Sequence, residues 1–408
     1  MRRLPFFFVA SVLLNSSLAL ADTVLVLPFF NESKLDNIDW IGESVSETIR
    51  ESLGTQGVLV LTREDRLEAY RRLSLRPDAT ITHASIIKLG EALDASQVIY
   101  GRYDISPVSR SSSASASDST ARTGVSPRDS LRIEARILDL KRTRQGPEFE
   151  EISALEDLAN LETHLAWRCL QSLSPKTAPA EQDFRRDRPS LRLDALENYI
   201  RGLMAASPDQ KHRLFTQASR LDPNFSQPCF QLGRMAWEKK DYNLAAGWLE
   251  KVHRADSHYF EAQFLLGLCR YHLADFAGAE KSFQVVAAAV PLNEVINDLG
   301  ASQLRLRSPS AIENFRRALD GDSSDPDYYF NLGYALWRSG DFVHAADHFR
   351  ALLDRAPDDA EATLFLGRCL KKDGPRSGDP TSEGRERLKL NYEETAYRQL
   401  KAELESNH

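Results

Sequence analysis

The first third of the chain alternates short apolar runs with helical patterns. The run Val24–Leu27 has four consecutive apolar residues and stops at Pro28, which is typical of a short buried strand. Apolar residues spaced by three and four predict three helices, at 37–53, 62–73 and 82–93. Further apolar or alternating runs predict three more strands, at 58–61, 97–105 and 130–140. This order of elements predicts an α/β domain over residues 22–173.

Polar segments interrupt this domain and end it. Ser153 and Glu156 match a capping box, which predicts a helix from there to about residue 173. The serine-rich segment 106–129 lies between two predicted strands and has no apolar anchor, so we expect a disordered hairpin loop. Segment 174–190 combines prolines with mixed charges, and it predicts a linker to a second domain.

Two sequence patterns recur in phase after this linker. Leu-Gly pairs place glycines at 233, 267, 300, 333 and 367, at spacings of 34, 33, 33 and 34 residues. Alanine and phenylalanine four residues apart follow three of these pairs, at 279/283, 311/315 and 345/349. Ala245 and Leu249 are a variant of the same pattern, and Pro291 and Pro357 end two of the units. A period near 34 with two patterns in phase indicates a repeat protein.

These patterns resemble the tetratricopeptide repeat (TPR), in which each unit is a pair of antiparallel helices. Small residues let the helices approach and large ones fill the space between them, and neighbouring units stack to bury their apolar faces. We count about six repeats over residues 191–372, the first a degenerate unit at 193–223. The resemblance implies an all-α solenoid with a concave groove, lined by the first helix of each pair, in which peptides generally bind.

The last repeat lacks a second helix in sequence. Residues 373–375, Asp-Gly-Pro, break the pattern, and a helical pattern resumes at 391–404. We therefore expect residues 373–408 to form a loop and a C-terminal helix that caps the stack.

The N-terminal domain also resembles a known family. Four segments are similar, in order, to the TolB amino-terminal domain and its relatives, at 24–31 (VLVLPFFN), 39–43 (DWIGE), 62–66 (TREDR) and 95–101 (ASQVIYG). The resemblance covers residues 22–173 and implies a mixed sheet in an exported, non-catalytic module that contacts other envelope components. The serine-rich insertion departs from a short hairpin.

Residues 1–21 have the features of a secretory signal peptide. Arg2 and Arg3 precede a mostly apolar run over 4–20, and residues 19–21, Ala-Leu-Ala, form a small-x-small cleavage site. Polar residues 15–17 interrupt the run, which is unfavourable for a membrane span of about 20 apolar residues. An uncleaved anchor is the alternative. We expect a soluble protein exported to the periplasm of a Gram-negative-type bacterium, with no stable membrane span after cleavage.

Charge and cysteine content narrow the choice of partner. The chain has 52 basic and 59 acidic residues, for a formal net charge of −7, so it lacks the basic excess typical of nucleic-acid binders. Its four cysteines lie in apolar helical surroundings, which favours buried thiols, although an exported compartment permits disulfides.

By resemblance to tetratricopeptide proteins, certain first-helix positions face the groove. They are mostly aromatic and basic, and they comprise Phe230, Arg234, Trp237, Phe264, His272, Asn297, Arg305, Phe330, Tyr334, Trp337, Arg338, Arg368, Lys371 and Lys372. Such a surface would suit a peptide with apolar anchors and carboxylates. The alternative is that the aromatic residues pack between repeats and the basic ones are ordinary surface.

No catalytic or cofactor motif stands out. The chain has no phosphate-binding glycine loop and no GxSxG elbow. His344 and His348 are four apart on a predicted helix, but the zincin pattern needs a glutamate beside the first histidine. We expect a non-enzymatic interaction scaffold without cofactor, metal or nucleic acid. The alternatives are an accessory or regulatory subunit of an envelope export or outer-membrane assembly machine and, less favoured, a metal-dependent hydrolase.

Overall fold

The structure is a computed structural model that describes residues 23–33, 35–76, 82–107, 125–186, 188, 190–376, 385–393, 396–397, 400–401 and 404. The predicted signal peptide, most of the serine-rich insertion and much of the last 32 residues lie outside the described residues. A small mixed sheet with helices comes first, and a solenoid of tetratricopeptide-type helix pairs follows.

The N-terminal domain is built on one sheet. Its strands are β1 (Val24–Val26), β2 (Phe30–Asn31), β3 (Gln97–Ser106), β4 (Ser130–Asp139) and β5 (Arg144–Ala154). Its helices are α1 (Trp40–Gly54), α2 (Arg63–Arg72), α3 (His83–Ala92) and α4 (Leu158–Leu173). The strand order is β1-β3-β4-β5, and β2 also pairs with β3. Strands β1 and β2 run parallel to β3, whereas β3, β4 and β5 are successively antiparallel.

Two local predictions in this domain were wrong, and one strand was not predicted. Residues 58–61 make only a single bridge, Val60 to Val24, because the chain turns at once into the N-cap of α2 at Thr62. Strand β5 was missed because its mostly exposed edge position is filled with charged residues. The predicted capping box at Ser153 does not form: Ser153 lies in β5, and a short 3₁₀ turn, Leu155–Asp157, precedes α4.

Helices cover both faces of the sheet. Alternate residues of β1 face α1 and α4 on one side and α2 and α3 on the other, as the two-residue period of a strand requires. Backbone contact is close where α1 begins, because the Phe29 amide donates to the Gly42 carbonyl at 3.1 Å. A Cβ at Gly42 would lie 2.0 Å from the Phe29 carbonyl oxygen. Only glycine fits there.

The described chain from residue 181 to residue 376 consists mainly of helices. Its helices are α5 (Glu181–Arg186), α6 (Leu193–Met204), α7 (Pro208–Leu221), α8 (Gln227–Glu238), α9 (Tyr242–Leu249), α10 (Tyr259–His272), α11 (Phe276–Ala289), α12 (Asn293–Arg305), α13 (Ser310–Gly321), α14 (Pro326–Ser339), α15 (Phe342–Leu353) and α16 (Ala360–Leu370). Helices α6 to α15 form five hairpins, and α16 is a first helix without a described second one.

The recurring glycines are places where paired helices touch. A Cβ at Gly267 would lie 2.7 Å from the ring of Phe283, and one at Gly300 would lie 3.0 Å from the ring of Phe315. At Gly367, in α16, nothing lies within 4 Å of such a Cβ. The repeat pattern therefore reflects a packing requirement that is absent at Gly367, where the described residues include no second helix to pack against α16.

The N-terminal domain and the first repeats share one hydrophobic core. Phe184, in the segment predicted as a linker, is 1% exposed in this core, and Arg188 stacks on its ring at 3.9 Å. The Arg188 guanidinium also bonds Thr55 at the end of α1. Helix α1 packs directly against α6. The described part of segment 174–190 is thus packed into the core shared by the N-terminal domain and the first repeats.

The four cysteines are buried free thiols, Cys169, Cys229, Cys269 and Cys369. This confirms the interpretation favoured by their apolar surroundings. None of the helices among the described residues is long and apolar enough to cross a membrane.

Candidate functional site: the concave face and the segment that fills it

Residues 385–393, which we call the C-terminal segment, lie along the inner face of the repeats. The segment contacts first helices from four successive units, α10, α12, α14 and α16. No helix or strand is assigned to it. The helical pattern at 391–404 was expected to cap the stack. Of its described residues, Tyr392 packs its ring on Phe264 of α10 at 5.1 Å, and Tyr397 joins the core of the middle repeats, away from α16.

Amide and carboxyl side chains hold the backbone of this segment. The Asn331 amide donates to the Arg387 carbonyl at 2.8 Å and its oxygen accepts from the Arg387 N–H at 2.8 Å. The Asn297 amide donates to the same carbonyl at 3.0 Å, and Asp298 accepts from the Lys389 N–H at 2.9 Å. These contacts are made to main-chain atoms, so they recognise an extended backbone whatever its side chains.

A buried carboxylate anchors the segment at one side. The side chain of Glu386 is fully buried, and its Oε2 accepts from the Tyr271 hydroxyl at 2.7 Å and from Arg305 Nε at 2.7 Å and Nη2 at 2.5 Å. Arg338 Nη1 lies 3.7 Å from Oε1, which has no hydrogen-bond partner among the described residues. Burial, and after it the charge of Glu386, raises the pKa of Tyr271, so the hydroxyl stays a donor.

A guanidinium anchors the segment at the opposite side. Arg387 forms a two-point bond with Asp359, Nη1 to Oδ2 at 2.8 Å and Nη2 to Oδ1 at 3.0 Å. It also reaches Asp327 and Glu361 at 3.3 Å each. Its Cζ lies 3.8 Å from the ring centroid of Phe330, which is a cation–π contact. The hydrogen bond from Arg387 lowers the pKa of Asp359.

The groove is therefore polarised across its width. Acidic residues lie at the N-terminal ends of the first helices, and we call them the acidic edge: Asp325, Asp327, Asp359 and Glu361. Arginines lie in the last turns, and we call them the basic edge: Arg305, Arg338 and Arg368. Each sign sits at the helix end whose dipole it complements. Lys389 lies on the acidic edge, 2.6 Å from Asp325 and 2.7 Å from Asp327.

The side chains of the segment alternate between the two edges. Glu386 turns to the basic edge and Leu388 packs into the apolar floor, whereas Arg387 and Lys389 turn to the acidic edge. This two-residue period is that of an extended chain. The side chains of the segment thus contact both edges of the groove.

Five of the predicted groove residues contact the segment directly. They are Phe264, Asn297, Arg305, Phe330 and Arg338. His272 lies close to its first residue: burial, and after it the charges of Arg385 and Lys240, lower the pKa of His272.

The other predicted aromatic residues pack mainly within and between the repeats. Phe230 is buried and stacks on His258, and Trp237 packs on Tyr242. Tyr334 and Trp337 belong to α14 and are buried against Phe365 of α16. Burial, and after it the charge of Glu386, raises the pKa of Tyr334, which therefore also lies near the segment. For these aromatic residues the packing alternative describes the structure better. The remaining basic ones do not touch the segment by any described contact, and they are Arg234, Arg368, Lys371 and Lys372.

The acidic edge is not among the residues predicted from the sequence. Asp325 and Asp359 serve as N-caps, since their side chains accept backbone N–H groups. The available signal was repetition: acidic residues begin two successive first helices, at 325–327 and 359–361. The inner surface, expected from the sequence to be aromatic and basic, therefore has one acidic edge and one basic edge.

A second concave region, a cleft, lies between the N-terminal domain and the repeats. This cleft has a volume of about 650 Å³, and Arg234 lines it together with Glu51 and His258. Burial raises the pKa of Glu51 to about 7 against the opposing charge of Arg50. His344 bonds Asp341 on the surface, and among the described residues no three His, Cys, Asp or Glu side chains are grouped so that they could hold a metal ion.

Comparison with known proteins identifies the helix pairs. A family model described as Tetratricopeptide repeat matches residues 230–294, 305–360 and 337–374. The repeats predicted from the 34-residue period are therefore present, in the part of the solenoid that contains the groove.

Solved structures with similar folds include other repeat proteins. One is titled "Crystal structure of YrrB: a TPR protein with an unusual peptide-binding site"; it is 20% identical, with 39% of this chain and 84% of that chain covered and a TM-score of 0.34. MamA from Desulfovibrio magneticus RS-1 is 24% identical over 39% of this chain and 92% of its own, with a TM-score of 0.36. The LpoB C-terminal domain from Salmonella enterica is 13% identical over 33% of this chain and 82% of its own, with a TM-score of 0.24. TM-scores of this size support no functional comparison. No curated protein matches the chain.

Proposed function

We propose that this protein is a non-enzymatic scaffold that binds an extended segment of a partner protein on the concave face of its repeats. The observation that carries the proposal is the C-terminal segment, whose backbone is held by Asn297, Asp298 and Asn331. A surface that satisfies the hydrogen bonds of an extended chain in this way is suited to receive one from another protein.

The wider setting of the proposal comes from the first 173 residues. The signal-peptide pattern supports export to the periplasm, and the TolB-like motifs support a second contact with envelope proteins. In the structure these motifs are structural: Glu43 of the second motif binds Arg63 at 2.6 Å and Arg66 at 2.5 Å in the third. The contact surface would therefore lie outside them. We propose the domain as an envelope-binding module fixed to the solenoid through α1 and α6.

The test is binding of a labelled peptide, residues 385–393, to the full chain carrying Arg387→Glu. This substitution places a carboxylate against Asp359 and Glu361 and should release the chain's own segment, leaving the groove free. We expect saturable binding by fluorescence anisotropy. Adding Asn331→Ala should weaken it by about tenfold or more, since two backbone hydrogen bonds are lost, at about 1 kcal/mol each. Absence of binding to the released chain would refute the proposed function.

A further inference from the structure

The groove has a property that backbone recognition alone does not require. Its two edges have opposite charge, and each edge makes contacts with one alternate set of side chains. An incoming segment must therefore turn a carboxylate toward the basic edge and positive charge toward the acidic edge. Its apolar residue lies on the same side of the segment as the carboxylate. Reversing that order would put like charges face to face.

Burial makes this requirement strict at the carboxylate position. Glu386 is fully buried against Arg305, which is itself 16% exposed in its side chain. An arginine placed there would meet Arg305 and Arg338 out of water, and it would have no carboxylate partner among the contacts described. A like-charge pair that is desolvated costs several kcal/mol, much more than the same pair at the surface.

The position of Arg387 also requires a particular charge. Three carboxylates converge on the Arg387 guanidinium, at Asp327, Asp359 and Glu361, and the ring of Phe330 covers its face. Planar, two-point recognition of this kind favours arginine over lysine. A glutamate there would face three negative charges.

We infer that the groove selects an extended segment of another protein that carries, at four successive positions, a carboxylate, an arginine, an apolar residue and a lysine or arginine, and that this segment binds by displacing residues 385–393. The inference rests on the proposed function and names its ligand. The chain's own segment is the template, with Glu386, Arg387, Leu388 and Lys389 at these positions. The inferred ligand differs from the acidic peptide expected from the sequence, because the template carries more positive than negative charge.

A partner can bind only when the chain's own segment has left the groove. The apparent affinity for the partner therefore equals its intrinsic affinity multiplied by the fraction of molecules in which the groove is open. The C-terminal segment would thus reject weak or wrongly charged partners and admit those whose pattern matches it.

Two peptides of identical composition test the inference. The first has the native order, Arg-Glu-Arg-Leu-Lys-Leu-Asn-Tyr-Glu, and the second exchanges its second and third residues. On the full chain carrying Arg387→Glu, we expect the native order to bind at least tenfold tighter than the exchanged order. On the full chain without that substitution, we expect the native peptide to bind at least tenfold more weakly than it binds the released chain.

Groove variants give the matched control. Arg305→Glu in the released chain should reduce binding of the native peptide by at least tenfold. Arg316→Glu, an identical charge change on the exposed face of α13, should leave it unchanged. Selection of the four-position pattern from a displayed random library by the released chain would support the inference further.

Several outcomes would overturn the inference while leaving the proposed function standing. Equal binding of both peptides to the released chain would show that charge order does not matter. Equal affinity of the native peptide for released and unmodified chains would show that the segment does not compete. A concentration-dependent dimer of the unmodified chain that Arg387→Glu dissociates would make a second copy the occupant. Failure of both peptides to bind any form would refute the proposed function itself.

Discussion

Removing the side chain of Arg305 should selectively release the C-terminal segment. Arg305→Ala deletes two donors to Glu386 Oε2, at 2.5 and 2.7 Å, and leaves a fully buried carboxylate with the Tyr271 hydroxyl and a distant Arg338. Breaking one side of a buried ion pair costs about 3–5 kcal/mol because the remaining charge is uncompensated. At about 1.4 kcal/mol per factor of ten, even the lower figure corresponds to an increase of about 100-fold in the opening constant of the segment.

Hydrogen exchange measures this opening directly. The N–H groups of Arg387 and Lys389 donate to Asn331 and Asp298, so their protection reports docking of the segment. We expect exchange at both amides to accelerate by about 100-fold, with no change in the amides of α13. The same substitution in a Glu386→Gln background should have a much smaller effect, because the charge pair is already gone. Unchanged protection in Arg305→Ala, or equal effects in both backgrounds, would refute the assignment of Glu386 as the anchor.

Three further predictions concern stability. Glu162 is 1% exposed and burial raises its pKa to about 8, so it destabilises the folded state increasingly as pH rises from about 4.5, where the unfolded carboxyl ionises, to about 8. Glu162→Gln should therefore raise the free energy of unfolding by at most about 5 kcal/mol at pH 8.5 and by almost nothing at pH 4. Equal shifts in urea unfolding at both pH values would contradict this. Gly267→Ala should destabilise the fold by about 1–3 kcal/mol, because the added methyl group meets the ring of Phe283. Gly367→Ala, where nothing lies within 4 Å, should stabilise the fold by up to about 1 kcal/mol. Similar shifts in melting temperature for the two variants would show that the repeat glycine has no packing role. Phe184→Ala should cost about 3–5 kcal/mol and lower one common melting transition, while a calorimetric trace with two separate transitions would contradict the shared core.

The buried carboxyls predict that packing of the N-terminal domain against the solenoid weakens as pH rises. Glu162 faces α1, where Thr48 donates to it at 2.8 Å, and Glu51 lies at the far end of the same helix. Both have raised pKa values because burial penalises their ionised forms. Their ionisation, near pH 7 for Glu51 and near pH 8 for Glu162, would place buried negative charge on and beside α1, the helix that packs against α6.

Local periodicity accounts for most of what could be predicted. The helices α1, α2 and α3, the long strands β3 and β4, and the repeat spacing all follow from contacts within or between neighbouring elements. Strand β5 could not be recognised in the same way, since an exposed edge strand does not need an alternating apolar face.

The groove was predictable only in outline. Asn297, Arg305 and Phe330 were identified from their repeat positions, and they do line it. Tyr334 and Trp337 occupy similar positions but are buried against α16, because a position in a repeat does not say how deeply a large ring will sink into the stack.

The amino-acid sequence by itself determined the helix hairpins, since a glycine recurring every 33 or 34 residues lets paired helices approach closely, and most of these glycines face a large apolar side chain of the second helix. Tertiary structure alone decided what occupies the concave face. Asn331 and Arg387 are 56 residues apart and Tyr271 and Glu386 are 115 apart, so no local pattern joins them. These contacts exist because stacking the repeats brings distant carboxylates, arginines and amides to the two edges of one groove, where an alternating segment can contact most of them.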